Sequence, residues 1–170
     1  MENNFIVDVS GFENGNSRQI KREFTFDIPP SYGIRGENVS VLMDGVITKA
    51  DKLFLLSAAC VCVVHADCSS CLADVTERIS FNFTEKFSEH VDADNTEWEE
   101  IFPVSNNRID VCDAIYANLA LSIPLRFSCK PDCLGLCPVC GCNRNITLCH
   151  CLEYKKDERF EGLQKFFENR

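Results

Sequence analysis

The sequence predicts an α+β chain: mainly an antiparallel β-sheet or a partly closed barrel, with two helices and a cysteine-rich zinc segment near the C-terminus. Three observations predict it. Residues 73–87 alternate between apolar and polar side chains over almost their whole length, the period of a half-buried strand. Residues 110–122 change to an i, i+4 apolar stripe, the period of a helix. Seven of the twelve cysteines fall between Cys129 and Cys151. A chain of 170 residues is long enough for one domain with a core and short for two. The expected organisation is therefore one domain over 1–170: a β-rich body at 1–109, a helix at 110–124, the cysteine segment at 129–151 and a second helix at 154–169. At 45% hydrophobic and 25% charged residues, the composition is that of a folded chain rather than a disordered one.

Taken in order, residues 4–10 are β-branched and read as a strand ending at Gly11; the Gly-, Asn- and Ser-rich stretch 11–20 reads as a turn or loop. Phe24, Phe26 and Ile28 share one side of a strand at 22–28. Pro29-Pro30 closes it, because proline cannot donate to a ladder. Residues 31–38 read as a loop. Residues 38–49 and 52–66 read as paired strands with a turn near Lys49-Ala50-Asp51. Gly45 is a candidate bulge, and the second strand, apolar on both faces, is a central one. In 73–87, Val75, Ile79, Phe81, Phe83 and Phe87 point one way. Thr76, Arg78, Ser80, Asn82, Thr84 and Lys86 point the other, with Glu77 and Glu85 as exceptions. The acidic stretch 88–100 reads as a solvated loop, followed by a short strand at Ile101, Phe102 and Val104. Val111, Ile115 and Leu119 form the helical stripe, which Asp110 caps and Pro124 stops. Phe160, Leu163, Phe166 and Phe167 line one face of the last helix.

The cysteines carry the chemistry. Cys137-Pro-Val-Cys140-Gly141 has the form of a metal knuckle: two thiolates grip one ion from a single tight turn, and Gly141 tolerates the positive φ that turn needs. Cys149 and Cys151 complete four thiolates, the closed sulfur-rich set of structural zinc. A disulfide cluster is the alternative, and compartment decides between them. The start, MENNFIVDVSG, has no basic region, apolar run or cleavage site of a secretory signal. The most apolar run, Leu53 to Val64, is interrupted by Ser57 and short of the roughly 20 residues a span needs. A cytoplasmic setting with reduced thiols is therefore expected, with no membrane contact, which favours metal. Cys68 and Cys71 are a second C-x2-C with three readings: a redox pair, half of a metal site, or unrelated buried thiols. A strand follows rather than a helix, which disfavours redox. Cys129 and Cys133 are left over, as are Cys68 and Cys71. Together they make a second site that ties the C-terminal segment to the sheet. One or two structural zinc ions are expected; a single site drawing on both halves is the alternative. Cys60, Cys62 and Cys112 read as core, and Cys142 has no assignment. His150, between two ligands, is a substitute ligand at most, and His90 reads as solvated.

A net charge of -9 argues against a protein that binds nucleic acid through phosphates alone. Arg126, Lys130, Arg144, Lys155, Lys156 and Arg159 nevertheless make a local basic surface near the cysteines. No G-x-S-x-G, P-loop or paired catalytic carboxylate motif is present, so no enzyme and no small-molecule substrate are expected. The loop carrying Asn143, Arg144 and Asn145 is the first place to look for a partner.

DCSSCL at 67–72, LALSIP at 119–124 and CKPDCLGLCPVCGCNRN at 129–145, with Cys149 and Cys151 beyond them, resemble the YceD-like (DUF177) family over about residues 40–151. The resemblance implies a bacterial or plastid factor for accumulation of large-subunit ribosomal RNA. It implies ribosome biogenesis, metal and nucleic-acid binding, and ribosomal RNA or a ribosomal or RNA-processing protein as partner. A zinc-stabilised protein–protein adaptor without direct RNA contact is the alternative. The chain departs from the family pattern at Ser70, where relatives carry Arg, at Asn118, where they carry an acidic residue, and at Arg144, where they carry Leu.

Overall fold

The computed structural model describes residues 5–36, 38–89 and 101–151. Among them run β1 (Ile6–Asp8), β2 (Ser17–Asp27), β3 (Ile34–Arg35), β4 (Asn38–Ala50), β5 (Leu53–Asp67), β6 (Asp74–Ser88), β7 (Ile101–Ser105), β8 (Arg108–Asp110) and one helix, α1 (Cys112–Ser122). The strands form one sheet in the order β1-β8-β7-β6-β5-β4-β2. Neighbours are antiparallel except β6 and β7, which run parallel. The fold is thus mainly β with a single helix among the described residues. The helix expected at 154–169 and the acidic stretch 90–100 lie outside them.

Alternation decides which face is inside. Phe54, Leu56, Ala58, Cys60, Cys62, Val64 and Ala66 of β5 are buried, as are Val39, Val41, Met43 and Ile47 of β4. On β6 the buried set is Val75, Ile79, Phe81, Phe83 and Phe87. Each large side chain taken fully out of water stabilises the fold by about 1.5–3 kcal/mol. Phe24, Phe87, Met43, Ile47 and Leu56 are among the most completely buried. Glu85, an exception to the β6 pattern, faces α1: Asn118 Nδ2 donates to Glu85 Oε1 at 3.1 Å. The helix lies over the inner face from β6 to β2, where Tyr116 meets Phe26 at 6.2 Å between ring centroids.

The sheet curls until its two ends meet. β1 and β2 are at opposite ends of the strand order, yet Phe5 stacks on Phe24 at 5.2 Å and lies 5.0 Å from Phe26. Arg22 Nη1 donates to the Ile6 carbonyl at 2.7 Å and Arg18 Nη1 to the Asp8 carbonyl at 3.2 Å. Among the described residues no backbone ladder joins these strands. Side chains from β2 satisfy edge carbonyls that would otherwise face water or another strand, leaving a curled but open sheet.

Four local expectations need correction. β2 begins at Ser17, inside the stretch read as a loop; it is an edge strand whose first half buries only Ile20. Ile34 and Arg35, also read as loop, form β3, which pairs with Ala66 and His65 of β5 beyond Cys62, where β4 leaves off. Arg108–Asp110 is a strand, and α1 starts only at Cys112, whose N–H is accepted by Asp110 Oδ1 at 2.9 Å. Gly45 is no bulge: it sits in unbroken register opposite Ile20 and Ala58.

No helix among the described residues is long and apolar enough to cross a membrane.

Gly45 is required by space. A Cβ there would lie 2.8 Å from Ala58 Cβ and 3.0 Å from the Ser57 carbonyl oxygen. Gly45→Val should cost about 2–3 kcal/mol through overpacking between two paired strands. A urea midpoint equal to that of the unchanged chain would refute this account of the position.

Two candidate metal centres

β5 and β6 are joined by the turn that carries Cys68 and Cys71. Asp67 and Asp74 face each other at its base, where like charges opposed across a ladder repel. Arg35 from β3 bonds to both carboxylates, and it holds Asp67 below the usual carboxylate range. The two-residue strand missed in the sequence therefore offsets the repulsion at the base of the turn.

The turn is a knuckle. Leu72 N–H donates to the Cys68 carbonyl at 2.9 Å, and Leu72 is left-handed at φ 59°. The second C-x2-C is built alike: Gly141 N–H donates to the Cys137 carbonyl at 2.8 Å with φ 73°. Glycine accepts that conformation freely, whereas leucine pays about 1–2 kcal/mol for it. The signal for the first knuckle was therefore its cysteine spacing alone.

Sulfurs distant in sequence converge on the first knuckle. Cys68 Sγ lies 3.8 Å from Cys133 Sγ, and Cys71 Sγ lies 3.5 Å from Cys129 Sγ. All four sulfurs of Cys68, Cys71, Cys129 and Cys133 lie within 4.8 Å of one another. A tetrahedron of thiolates about 2.3 Å from a zinc ion has sulfur–sulfur edges of about 3.8 Å, so the arrangement has the size an ion needs. Cys137, Cys140, Cys149 and Cys151 form a second group within the same limit. Either cluster of four can hold a metal ion. All twelve cysteines are free thiols.

Each cluster mixes easily and reluctantly ionised thiols. N–H groups aimed at the sulfur, that of Cys129 first, pull Cys68 down to about 6. The Asn145 amide lowers Cys133, and backbone N–H groups, that of Cys140 first, lower Cys137. Cys140 falls to about 6, chiefly through the N–H of Cys142. Cys129 rises to about 12 through its hydrogen bond to Cys71, and Cys151 to about 11 through its bond to Cys140. Four sulfurs this close cannot all carry charge unaided; a dication removes that obstacle and makes every one a ligand.

Backbone bonds tie the C-terminal segment to the first turn. Ser69 N–H donates to the Phe127 carbonyl at 2.9 Å, and Leu136 N–H to the Ser70 carbonyl at 2.9 Å. Arg126 donates to Ser70 Oγ, so a guanidinium just before the cysteine segment also holds the turn. Gly135, left-handed at φ 70°, passes so close that a Cβ would lie 3.1 Å from the Ser70 carbonyl oxygen.

The residues named for a partner lie inside this frame. Asn145 Oδ1 accepts the Leu134 N–H at 3.0 Å, and its Nδ2 donates to Cys133 Sγ at 3.4 Å and to Asn143 Oδ1 at 2.9 Å. Arg144 N–H donates to the Gly135 carbonyl at 3.0 Å. Asn143, Arg144 and Asn145 are half-buried, and Ile146, Thr147 and Leu148 are the exposed residues of that loop. Asn145 thus links the loop of the second cluster to a sulfur of the first. Spacing gave no sign of this role, because it depends on two loops meeting. Cys60 and Cys62 are buried in the core, and burial pushes Cys60 up to about 12. Cys112 is half-buried against the same core. His150 is exposed, and His90 lies outside the described residues.

The chain matches a family described as Large ribosomal RNA subunit accumulation protein YceD over residues 56–167. It is 35% identical over 77 residues to an uncharacterized protein of Mycobacterium tuberculosis, and equally so to one of Mycobacterium bovis. That alignment covers 44% of this chain and 37% of each relative, so little more than a third of those proteins' length is matched. It is 38% identical over 63 residues to the chloroplastic Large ribosomal RNA subunit accumulation protein YCED homolog 1 of Zea mays, covering 36% of this chain and 20% of that protein. No solved structure matches. The family match runs through both cysteine clusters and well over half of the chain, and the protein belongs to the YceD (DUF177) family.

Proposed function

We propose that this chain is a non-catalytic, zinc-holding factor in large-subunit ribosomal RNA accumulation, working in the cytoplasm. The observation that carries the reading is the pair of four-thiol clusters within a chain of this family. Zinc is the ion favoured by a purely thiolate tetrahedral set in a reducing compartment. A closed four-sulfur set leaves no open position for substrate, so the ions serve structure rather than chemistry. The family description and the printed name of the maize relative both concern large-subunit ribosomal RNA. The partner is accordingly that RNA, or a ribosomal or RNA-processing protein. Arg126 and Lys130 are exposed beside the first cluster and offer phosphate contacts. A second reading, an adaptor that touches only protein, is favoured by the net charge of -9.

Metal analysis tests the first half. Purified full-length chain should carry about two zinc ions, with Cys137→Ser and Cys68→Ser each losing one. The Cys68 change should lower thermal stability more, because its cluster joins residues 58 and 65 positions apart and closing a long loop removes more unfolded-state entropy. One zinc or none in the unchanged protein would refute two sites.

Salt dependence tests the second half. Binding of a large-subunit ribosomal RNA fragment should weaken steeply as salt rises, and Arg126→Ala with Lys130→Ala should reduce the log–log slope by about 1 to 2. No binding at low salt would reject direct RNA contact in favour of the adaptor.

A further inference from the structure

We propose that the outer face of the sheet is the interface of a two-fold dimer of this chain, centred on Leu42 and Val61.

β5 is apolar on both faces, the pattern of a strand covered on both sides. Among the described residues, only its inner face meets a core. Leu55, Ala59, Val61 and Val63 alternate outward, and Val63 is 52% exposed. Register carries this stripe onto β4. Leu42, 50% exposed, lies opposite Val61, and Val46, 40% exposed, lies opposite Ser57. The strands on either side do not continue it. β2 turns Gln19, Lys21, Glu23 and Thr25 to this face, and β6 turns Arg78, Ser80, Asn82 and Thr84 to it. An apolar centre between two polar rims is the anatomy of a protein–protein interface.

Charge and register point to a second copy. Around the stripe Lys21 and Arg78 balance Glu23 and Asp44. The face is therefore locally neutral on a chain of net charge -9, so it neither draws a polyanion nor repels its own copy. A two-fold axis along the strands, between β4 and β5, lays each row of side chains against its own reverse. Glu23, Leu42, Val61 and Ser80 form one such row. Leu42 then packs on Val61 of the partner subunit, beside a hollow of about 430 Å³ floored by Ala59. Arg78 is next to Ser80 on the same face of β6, which brings it over Glu23 of the partner subunit. Among the described residues Arg78 has no ion-pair partner of its own. The four strands and four rows measure about 19 Å by about 26 Å, so roughly 1,000 Å² is covered over both copies, the small end of specific interfaces.

Sedimentation equilibrium of the full-length chain tests this, under reducing conditions that keep its thiols from linking copies. The unchanged protein should be largely dimeric at about 100 μM. Leu42→Lys with Val63→Lys should be monomeric there, with a far-UV circular dichroism spectrum like that of the unchanged chain, since both positions face solvent in one copy. Arg78→Glu should weaken association about tenfold or more by setting like charges together, and adding Glu23→Arg should restore it. A monomeric unchanged protein would overturn the proposal. So would a dimer that survives both lysines, or a charge-swapped double variant no tighter than Arg78→Glu alone.

Discussion

The end of β5 is the point on which the cysteine-bearing half of the chain depends. Cys68 is fully buried there, at the edge of an apolar core where an isolated thiolate would be costly. Donors nonetheless surround it: N–H groups of Cys129, Ser70 and Cys71 all act on it. Those donors come from both sides of the junction, the knuckle and the returning C-terminal segment. Charge at Cys68 and docking of residues 127–136 therefore favour each other. The same stretch supplies the Phe127 carbonyl to Ser69 and the Leu136 N–H to the Ser70 carbonyl, so the docked segment also satisfies polar groups of the turn. Burying the turn without that segment would strand them.

The sheet supplies a rigid mount for this junction. β5 is flanked by β4 and β6 along most of its length, and its final residues gain β3 where β4 ends. Without β3, Asp67 and Asp74 would face each other uncompensated below the knuckle. Side-chain closure between β1 and β2 makes the far edge different in kind: two arginines and a stacked pair of phenylalanines hold it. An edge held by side chains opens more readily than one held by a ladder, so the sheet is firmest where the cysteines need it.

Much of this was legible in the sequence, for identifiable reasons. The β6 alternation survives in detail because one face meets the core and the other water. Its exception at Glu85 is explained by the amide of Asn118, which no pattern along one strand could reveal. The cysteine grouping is legible because spacing defines one set of four and, with Cys60, Cys62 and Cys112 read as core and Cys142 unassigned, four of the other eight remain. The first half of β2 is hidden in the sequence because an edge strand with few buried residues has little apolar signal. β3 is two residues long and carries none. Leu72 hides a left-handed turn behind a residue that rarely adopts one, and Asn145 looks like an exposed loop residue until the loop is seen folded onto Cys133.

The two clusters differ in what an ion would do for them. The second is drawn from Cys137 to Cys151, a short segment that an ion would order locally, in the manner of small metal-dependent lobes. The first joins the β5–β6 turn to residues about 60 positions later; on the chain-entropy account a link of that span stabilises the fold by about 4 kcal/mol. Asn145 couples them, since its amide donates to Cys133 while its carbonyl holds Leu134, between the two ligand sets. Loading the second cluster would position Asn145, and a positioned Asn145 favours the thiolate of Cys133. The first ion would hold the C-terminal segment on the sheet and the second would shape the exposed loop at Ile146 to Leu148. On the proposed reading a ribosomal partner therefore meets a surface formed only when both are in place.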